Sequence, residues 1–292
     1  PEDIGKMVNL NELWLHNNRI ESLPNGLGNL SHLNKLLLDN NNLTMLPQTI
    51  GNLTSLAKLS VTNNKMKALP PQLGFLGLMT SLQVLELYSN QLSMIPESIS
   101  ALTNLAVLNL SYNKLQLFPE QIESLTSLTE LHLSYNQIQF LTPGIGNLTT
   151  LNRFRIAGNA IGFMPSEIGQ LTNLSELSLT DNKIKVLPVE LGNINSLAML
   201  LIDGNDIQSP PADIIKQGSK LYITGLSLND NLLAEVDAVI GSFTNLTALH
   251  LDRNLLTFLP SSMGNLTKLV TLTLDGNELK DPPSEILMLA EQ

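Results

Sequence analysis

One 23-residue pattern recurs along the whole chain and constrains its fold more than any other feature. Its clearest copy, residues 105–127, reads LAVLNLSYNKLQLFPEQIESLTS, with apolar residues at offsets 0, 3, 5, 10, 13, 17 and 20 from the leading leucine. A fixed period of this length predicts stacked coils that together bury one continuous core. The twelve copies begin at Leu10, Leu33, Leu56, Leu82, Leu105, Leu128, Leu151, Leu174, Leu197, Ile223, Leu246 and Leu269.

The copies vary little in length. Nine contain 23 residues, the two that begin at Leu56 and Leu197 contain three more, and the last runs to the chain end. Residues 1–9 match the tail of a further copy. Neither end has the polar cap that stacked coils need to cover their last apolar face. We therefore expect the full-length protein to continue on at least one side.

Each copy predicts a strand, a turn and an irregular segment. Apolar and polar residues alternate over offsets two to six, which is strand periodicity. Because a whole coil separates successive strands, they are expected to pair in parallel. Proline occupies offset 14 in ten of the twelve copies, Thr142 and Asp237 being the exceptions. The apolar spacing after the proline predicts a short 3₁₀ or irregular turn.

Asparagine occupies offset eight in every copy. Its amide both donates and accepts hydrogen bonds, so a stacked row of these side chains is expected to satisfy backbone groups where each strand ends. Ligand binding by this row is the alternative. The row consists of Asn18, Asn41, Asn64, Asn90, Asn113, Asn136, Asn159, Asn182, Asn205, Asn231, Asn254 and Asn277.

These residues resemble those of leucine-rich-repeat proteins over the whole chain, residues 1–292. The 23-residue form with L-P-x-x-I-x-x-L resembles the intracellular Ras-group subfamily. The resemblance implies a single domain with an α/β fold, a right-handed leucine-rich-repeat solenoid (horseshoe). Its parallel β-sheet would be concave, its convex segments short 3₁₀ or irregular turns. It also implies protein partners bound on the concave face, small GTPases or other signalling proteins among them.

Two segments depart from the pattern. Residues 73–82 are an apolar insertion in the third repeat, expected to pack on the core edge. Residues 208–222 contain Pro210-Pro211 and Lys216-Gln217-Gly218, which resemble the closing repeat of Ras-group arrays, although the pattern resumes at Leu226. We hypothesise a packing irregularity or hinge near 208–222.

Several function classes lack their sequence signals. The chain contains no phosphate-binding G-x-x-x-x-G-K-[ST] loop, no H-E-x-x-H and no G-x-S-x-G. We therefore expect no enzyme activity, no catalytic residues, no metal and no cofactor, and we read Glu130 and His132 as solvated strand residues. No apolar run approaches the length of a membrane span. The net charge of −10 argues against nucleic acid as the main partner.

The chain has no cysteine, which favours a reducing compartment and a cytoplasmic location. It nevertheless carries eight N-x-[ST] sequons, which would suit a glycosylated surface. The G-N-L-T sequence is itself part of the repeat, so we expect these sites to be structural. They are Asn29, Asn42, Asn52, Asn109, Asn147, Asn173, Asn245 and Asn265.

Aromatic and charged residues concentrate at offsets two, four, six and seven, which should flank the buried strand leucines on the concave face. Trp14 lies there, and a mid-array group is predicted to form one contiguous patch: Glu86, Tyr88, Tyr112, His132, Tyr135, Arg153 and Arg155. Tyr, Trp and Arg are enriched at binding hot spots. The alternative is that the open face of a sheet simply tolerates β-formers such as tyrosine.

An acidic row lies toward the C-terminus, at offset six or seven of five successive repeats. It consists of Asp181, Asp203, Asp230, Asp252 and Asp275. Stacked like charges are destabilising, which suggests a basic partner surface. The equally weighted alternative is that each aspartate caps local backbone N–H groups.

The sequence thus predicts a non-enzymatic recognition module or scaffold, in intracellular signalling, that binds a protein on its concave face. One alternative is an extracellular receptor-type ectodomain that binds a peptide or glycan. Another is the regulatory repeat domain of a larger signalling enzyme, such as a Roco GTPase or an adenylate cyclase.

Overall fold

The computed structural model describes residues 1–71, 79–208 and 223–280. The chain divides into two compact units, Pro1–Ile138 (unit 1) and Gln139–Gln292 (unit 2). Residues 73–78 of the predicted insertion lie outside the described residues, as does almost all of the predicted hinge near 208–222.

The described residues contain twelve strands of three residues each, six in each unit. In unit 1 they are β1 (Glu12–Trp14), β2 (Lys35–Leu37), β3 (Lys58–Ser60), β4 (Val84–Glu86), β5 (Val107–Asn109) and β6 (Glu130–His132). In unit 2 they are β7 (Arg153–Arg155), β8 (Glu176–Ser178), β9 (Met199–Leu201), β10 (Gly225–Ser227), β11 (Ala248–His250) and β12 (Thr271–Thr273).

Within each unit, every strand is parallel to the next one along the chain. Residues at the same repeat offset face each other, as Val84 faces Val107 and Arg153 faces Glu176. The two longer repeats keep this pairing, because Lys58 still faces Val84 and Met199 still faces Gly225. Their three extra residues are therefore accommodated outside the strands.

Short 3₁₀ turns occupy the other side of the coils. The residue before each turn is extended, typically a proline at φ near −70°, such as Pro165 at −70°. Where Asp237 replaces that proline, its carboxylate caps the turn by accepting a hydrogen bond from Val239 N at 2.8 Å. The turns are Glu2–Lys6, Asn25–Asn29, Gln48–Asn52, Glu97–Ala101, Glu120–Ser124, Pro143–Asn147, Ser166–Gln170, Val189–Asn193, Ala238–Ser242 and Ser261–Asn265.

No helix in the described part of the chain is long and apolar enough to cross a membrane. The parallel strands and the short 3₁₀ turns confirm the fold class that the repeat pattern predicted.

The repeating apolar residues form the core. In the repeat of residues 105–127, Leu105, Leu108, Leu110 and Ile122 are completely buried. Each such side chain contributes about 1.5–3 kcal/mol relative to an exposed one. The core is aliphatic almost throughout, and Phe154 is its largest fully buried side chain.

The asparagines at offset eight connect each coil to the one before it. Asn113 is 8% exposed, and its Nδ2 donates to the carbonyls of Leu110 in its own repeat and Leu87 in the preceding one, both at 3.0 Å. Its Oδ1 accepts from Leu92 N of the preceding repeat at 2.9 Å. One side chain therefore satisfies three backbone groups in the buried interior, which is a structural task.

Candidate partner-binding face

The strand side chains at offsets two and four form an accessible surface on each unit, which we call the open face. In β7, for example, Arg153 and Arg155 are exposed on either side of buried Phe154. The residues at offsets six and seven extend this surface beyond the strand ends. All the residues that the sequence proposed for partner binding lie in these four columns.

Three tyrosines of unit 1 bring their rings together: Tyr88 is tilted against Tyr112, and Tyr112 stacks on Tyr135. The ring centroids of Tyr88 and Tyr112 lie 5.0 Å apart, and those of Tyr112 and Tyr135 lie 4.4 Å apart at an interplanar angle of 28°. Tyr112 and Tyr135 remain 44% and 45% exposed. The structure thus brings these residues of successive repeats into one aromatic surface.

Two of these tyrosines occupy a backbone conformation that tyrosine rarely adopts. Tyr112 has φ 56° and Tyr135 has φ 55°, in the left-handed region. A residue with a Cβ is about 1–2 kcal/mol less stable there, and glycine, asparagine and aspartate tolerate it best. Such an outlier supports a hypothesis of function.

The left-handed conformation recurs at offset seven of every repeat. In unit 1 it is adopted by Asn17, Asn40, Asn63, Ser89, Tyr112 and Tyr135, and in unit 2 by Gly158, Asp181, Gly204, Asp230, Arg253 and Gly276. All three clustered tyrosines lie outside the strands, so the β-propensity of tyrosine does not explain their presence. Sequence reasoning missed this constraint, although the asparagines and glycines in the column signalled it.

Acidic groups border the tyrosines. Glu86 and Glu130 lie on β4 and β6, and His132 Nε2 is 3.3 Å from Glu130 Oε2. Partial desolvation and the neighbouring Tyr135 raise the pKa of Tyr112 above its ordinary value. The surface therefore combines neutral aromatic faces with carboxylates. The predicted continuity of this group with Arg153 and Arg155 stays a prediction.

Trp14 lies on the open face of β1 and is 57% exposed. Its Nε1 donates to Glu12 Oε2 at 2.9 Å, and the Lys35 ammonium lies 4.9 Å from its ring centroid. The indole is thus held between an acid and a base of the same face.

The two arginines of β7 contact a glutamate that sequence reasoning did not select. Arg155 donates through Nε and Nη2 to the two carboxylate oxygens of Glu176, at 2.6 and 3.0 Å. Arg153 Nε is 3.9 Å from the same carboxylate. Pairing at equal offsets places Glu176 opposite Arg153, and Arg155 reaches the same carboxylate diagonally. A comparison of neighbouring strands in the sequence would have found this partner.

Two carboxylates of the acidic row in unit 2 accept hydrogen bonds from backbone amides of the following repeat. The Asp203 carboxylate accepts from Ser227 Oγ and Asn229 N, both at 2.6 Å, and Asp252 accepts from Asp275 N at 2.8 Å. Asp39 of unit 1, which the sequence reading left out, does the same for Ser60 Oγ and Thr62 N. At offset six, aspartate therefore caps the next coil, which favours the capping alternative there.

At offset seven the carboxylates behave differently. Arg253 donates through Nη2 to Asp230 Oδ2 at 2.6 Å, and this hydrogen bond lowers the pKa of Asp230 and raises that of Arg253. Asp181, also at offset seven, is exposed, and so is Asp275, the offset-six aspartate of the last repeat. Burial, by contrast, raises the pKa of Asp203 even though Ser227 and Asn229 donate to it.

A shallow pit of about 430 Å³ opens on the face of unit 2. Gly225 lies at its floor, where a Cβ would be 2.7 Å from Met199 Sδ, and His250 lies on its wall. Sequence reasoning missed it, because a glycine in a strand column gives no positive signal. Within the described residues, no group of three or more His, Asp or Glu is arranged to hold a metal ion.

Three family profiles match the chain. The "Leucine-rich repeat region" matches residues 1–114, the "Leucine Rich Repeat" matches 104–125 and 127–148, and the "Leucine rich repeat" matches 149–207. Comparison with curated protein sequences gave no match.

Solved structures extend the likeness. A leucine-rich-repeat protein of Leptospira interrogans is 29% identical with a TM-score of 0.65, over 100% of this chain and 84% of that one. The Arabidopsis receptor kinase HAESA, solved with the peptide hormone IDA and the co-receptor SERK1, is 27% identical with a TM-score of 0.68, over 94% and 52%.

The functional domain of InlJ from Listeria monocytogenes has a TM-score of 0.78 over 94% of this chain and 56% of that one, and at 24% identity it shows the fold alone. This chain thus spans about half the length of the HAESA and InlJ chains. From the matching profiles, the repeat geometry and these structures, we conclude that the chain is built from leucine-rich repeats.

Proposed function

We propose that the chain is a non-enzymatic recognition module that holds a protein partner against its open face. The observation that carries the proposal is the ring cluster of Tyr88, Tyr112 and Tyr135, in which Tyr112 and Tyr135 stack and hold an unfavourable left-handed backbone. The fold gains nothing from tyrosine at that offset, since asparagine and glycine fill it in other repeats. Exposed, pre-stacked rings are the kind of surface on which binding energy concentrates.

The chemistry of this surface suits a basic segment of the partner. A guanidinium or ammonium group is attracted to an aromatic face, by about 0.5–2 kcal/mol according to its exposure. Glu86, a partly exposed residue of β4, adds a carboxylate to the same face. The pit at Gly225 in unit 2 would take an apolar side chain.

The cellular setting belongs to the same proposal. We place the protein in the cytoplasm, in intracellular signalling, with a small GTPase or another signalling protein as its partner. The absence of cysteine supports a reducing compartment, and the 23-residue form of the repeat resembles the Ras-group subfamily.

An extracellular peptide-binding role is the second candidate, because the HAESA structure contains a bound peptide hormone. Glycan occupancy at the sequons, measured by mass spectrometry on protein from its native source, would favour it over the cytoplasmic setting. The full-length reading frame would show whether the repeats regulate a larger enzyme.

Affinity capture with quantitative mass spectrometry tests the proposed function. The binding variant is Tyr112→Asn, since asparagine suits the left-handed backbone and keeps the coil folded. The control variant is Val270→Asn, which changes an apolar side chain that is 86% exposed and outside the candidate residues. We expect Tyr112→Asn to lose captured partners about tenfold or more, and the control to retain them. Equal capture by both variants would contradict the proposal.

A further inference from the structure

A second column of exposed apolar side chains lies at offset 12, in the loop that follows the asparagine. In unit 1, Met45, Met94 and Leu117 are 64%, 67% and 62% exposed, and Ala68 occupies the same offset between the two methionines. Four successive repeats therefore present apolar groups to solvent. The fold does not need them, because Ser22 occupies the same offset in the first repeat.

Backbone hydrogen bonds join the loops of successive repeats. The amides of Lys65, Gln91 and Lys114 donate to offset-ten carbonyls of the preceding repeat, at 2.9, 2.8 and 2.8 Å. The loops thus keep approximately the spacing of neighbouring strands, about 4.8 Å. Three such intervals separate Met45 from Leu117, a distance of about 14 Å.

Basic side chains flank the apolar column. Lys65, Lys67 and Lys114 are exposed at offsets nine and eleven. No acidic residue occupies offsets nine to twelve of these four repeats, in a chain whose net charge is −10. The local charge is therefore opposite to that of the whole protein. We call the surface made by Met45, Ala68, Met94, Leu117 and these lysines the basic ridge.

We propose that the basic ridge binds an acidic amphipathic helix of a partner protein. A helix rises about 1.5 Å per residue, so apolar residues at i, i+3, i+7 and i+10 span about 15 Å and match the four repeats. Asp and Glu beside that apolar stripe would face the lysines. Methionine suits such a surface, because its flexible thioether adapts to a partner's side chains.

Unit 2 repeats the same combination, which argues against chance. Phe140, Phe163 and Val186 occupy offset 12 of three successive repeats and are 39%, 61% and 74% exposed. Lys183 and Lys185 lie beside Val186. The surface is separate from the open face, so one chain can hold two different partner segments.

A synthetic helical peptide tests the proposal by fluorescence anisotropy with the whole chain. The probe carries leucine at i, i+3, i+7 and i+10 with glutamate on both flanks. The matched control peptide has lysine in place of every glutamate. We expect the acidic peptide to bind, the lysine peptide to bind at least tenfold more weakly, and added salt to weaken the acidic complex.

Variants of the ridge assign the site. The double variant Met94→Ser/Leu117→Ser uses the residue found at Ser22 and is checked for folding by circular dichroism. We expect it to lower affinity for the acidic peptide at least tenfold, and Lys65→Gln/Lys67→Gln/Lys114→Gln to lower it about threefold or more. The open-face variant Tyr112→Asn should bind the peptide normally.

Three outcomes would overturn the proposal. The first is failure of the wild-type protein to bind the acidic peptide, and the second is binding of that peptide by the ridge variants as tightly as by wild type. The third is self-association in analytical ultracentrifugation that Met94→Ser/Leu117→Ser abolishes, which would assign the ridge to a second copy of the chain.

Discussion

The two units use the same backbone position for different purposes. At offset seven both place residues in the left-handed conformation. Unit 2 fills it with glycine, aspartate and one arginine, and Arg253 is paired with Asp230 on the preceding coil. Unit 1 fills it with asparagine and serine until Tyr112 and Tyr135, whose rings contact each other. The backbone requirement is shared, and the side chains are free to differ.

This difference separates scaffold from function within a single column. Residues that suit the conformation need no further explanation. Tyr112 and Tyr135 do need one, because their left-handed backbone is unfavourable and aromatic stacking offsets it by only about 0.5–1.5 kcal/mol. The tyrosines of unit 1 are therefore better candidates for binding than the aspartates of unit 2.

The largest expected effect tests what the units share. Asn113→Ala in unit 1 and Asn205→Ala in unit 2 each leave buried backbone groups unpaired, as at Leu92 N and Ile184 N. We expect each to lower the free energy of unfolding by about 1–3 kcal/mol, measured by urea denaturation. A large loss in one unit and none in the other would show that the scaffold is not equivalent.

An intermediate effect on stability tests the feature that differs between the units, the side chain at offset seven. Asp181 has φ 53°, and glycines, Gly158 and Gly204, occupy the same offset in the repeats on either side. Asp181→Tyr therefore places an aromatic ring in the left-handed position with no ring to stack on. We expect a loss of about 1–2 kcal/mol in the free energy of unfolding, with Asp181→Asn as the control that loses almost nothing. An unchanged stability for Asp181→Tyr would remove the strain argument for Tyr112.

The smallest effect is a pH dependence in unit 2. Burial raises the pKa of Asp203 in the folded state, so ionisation costs stability at neutral pH and the cost disappears as pH falls through the raised pKa. Asp203→Asn keeps the acceptor, as Asn229 does for Asp252 N at 2.7 Å. We expect this variant to gain less than about 1 kcal/mol at neutral pH, and the gain to shrink in acid.

Asp230 serves as an internal control, because its ionisation changes stability with pH in the opposite direction to that of Asp203. Its pKa is lowered by Arg253, so its stabilisation is present above the unfolded-state pKa and is lost as pH falls through the folded-state pKa. For an exposed pair this amounts to about 0.2–1 kcal/mol. Urea midpoints of Asp203→Asn and Asp230→Asn at neutral and acidic pH should therefore change in opposite directions. The same direction for both would contradict the assignment.

The repeat pattern predicted most of the fold, because burial has the same period as the sequence. It located the strands, the parallel pairing and the prolines before the turns. It also placed the asparagines at the strand ends, but it did not predict which carbonyls they contact. Hydrophobic periodicity carries no information on the sign of φ, so the left-handed column at offset seven was missed.

The candidate sites were less predictable, for two reasons. Arg155 and Glu176 are diagonal neighbours on adjacent strands, at offsets four and two, and a reading along one repeat does not reveal such a pair. The basic ridge depends on exposure, and Leu117 looks like any other leucine until its surroundings show that it is 62% exposed. Buried and exposed leucines differ in offset alone.

The asparagine row also gives the array a direction. Each asparagine bonds backward, to a carbonyl and an amide of the preceding coil, as Asn113 does with Leu87 and Leu92. If the coil that carries Asn113 unfolds, two backbone groups of the preceding coil, the Leu87 carbonyl and the Leu92 amide, lose their hydrogen-bond partner. Of the asparagine's own hydrogen bonds, unfolding of the preceding coil leaves no backbone group of the remaining coil unpaired, and the asparagine side chain still bonds within its own repeat. Unfolding that proceeds from the C-terminal side is thus more costly than unfolding that proceeds from the N-terminal side. A symmetric stack of identical coils would lack this polarity.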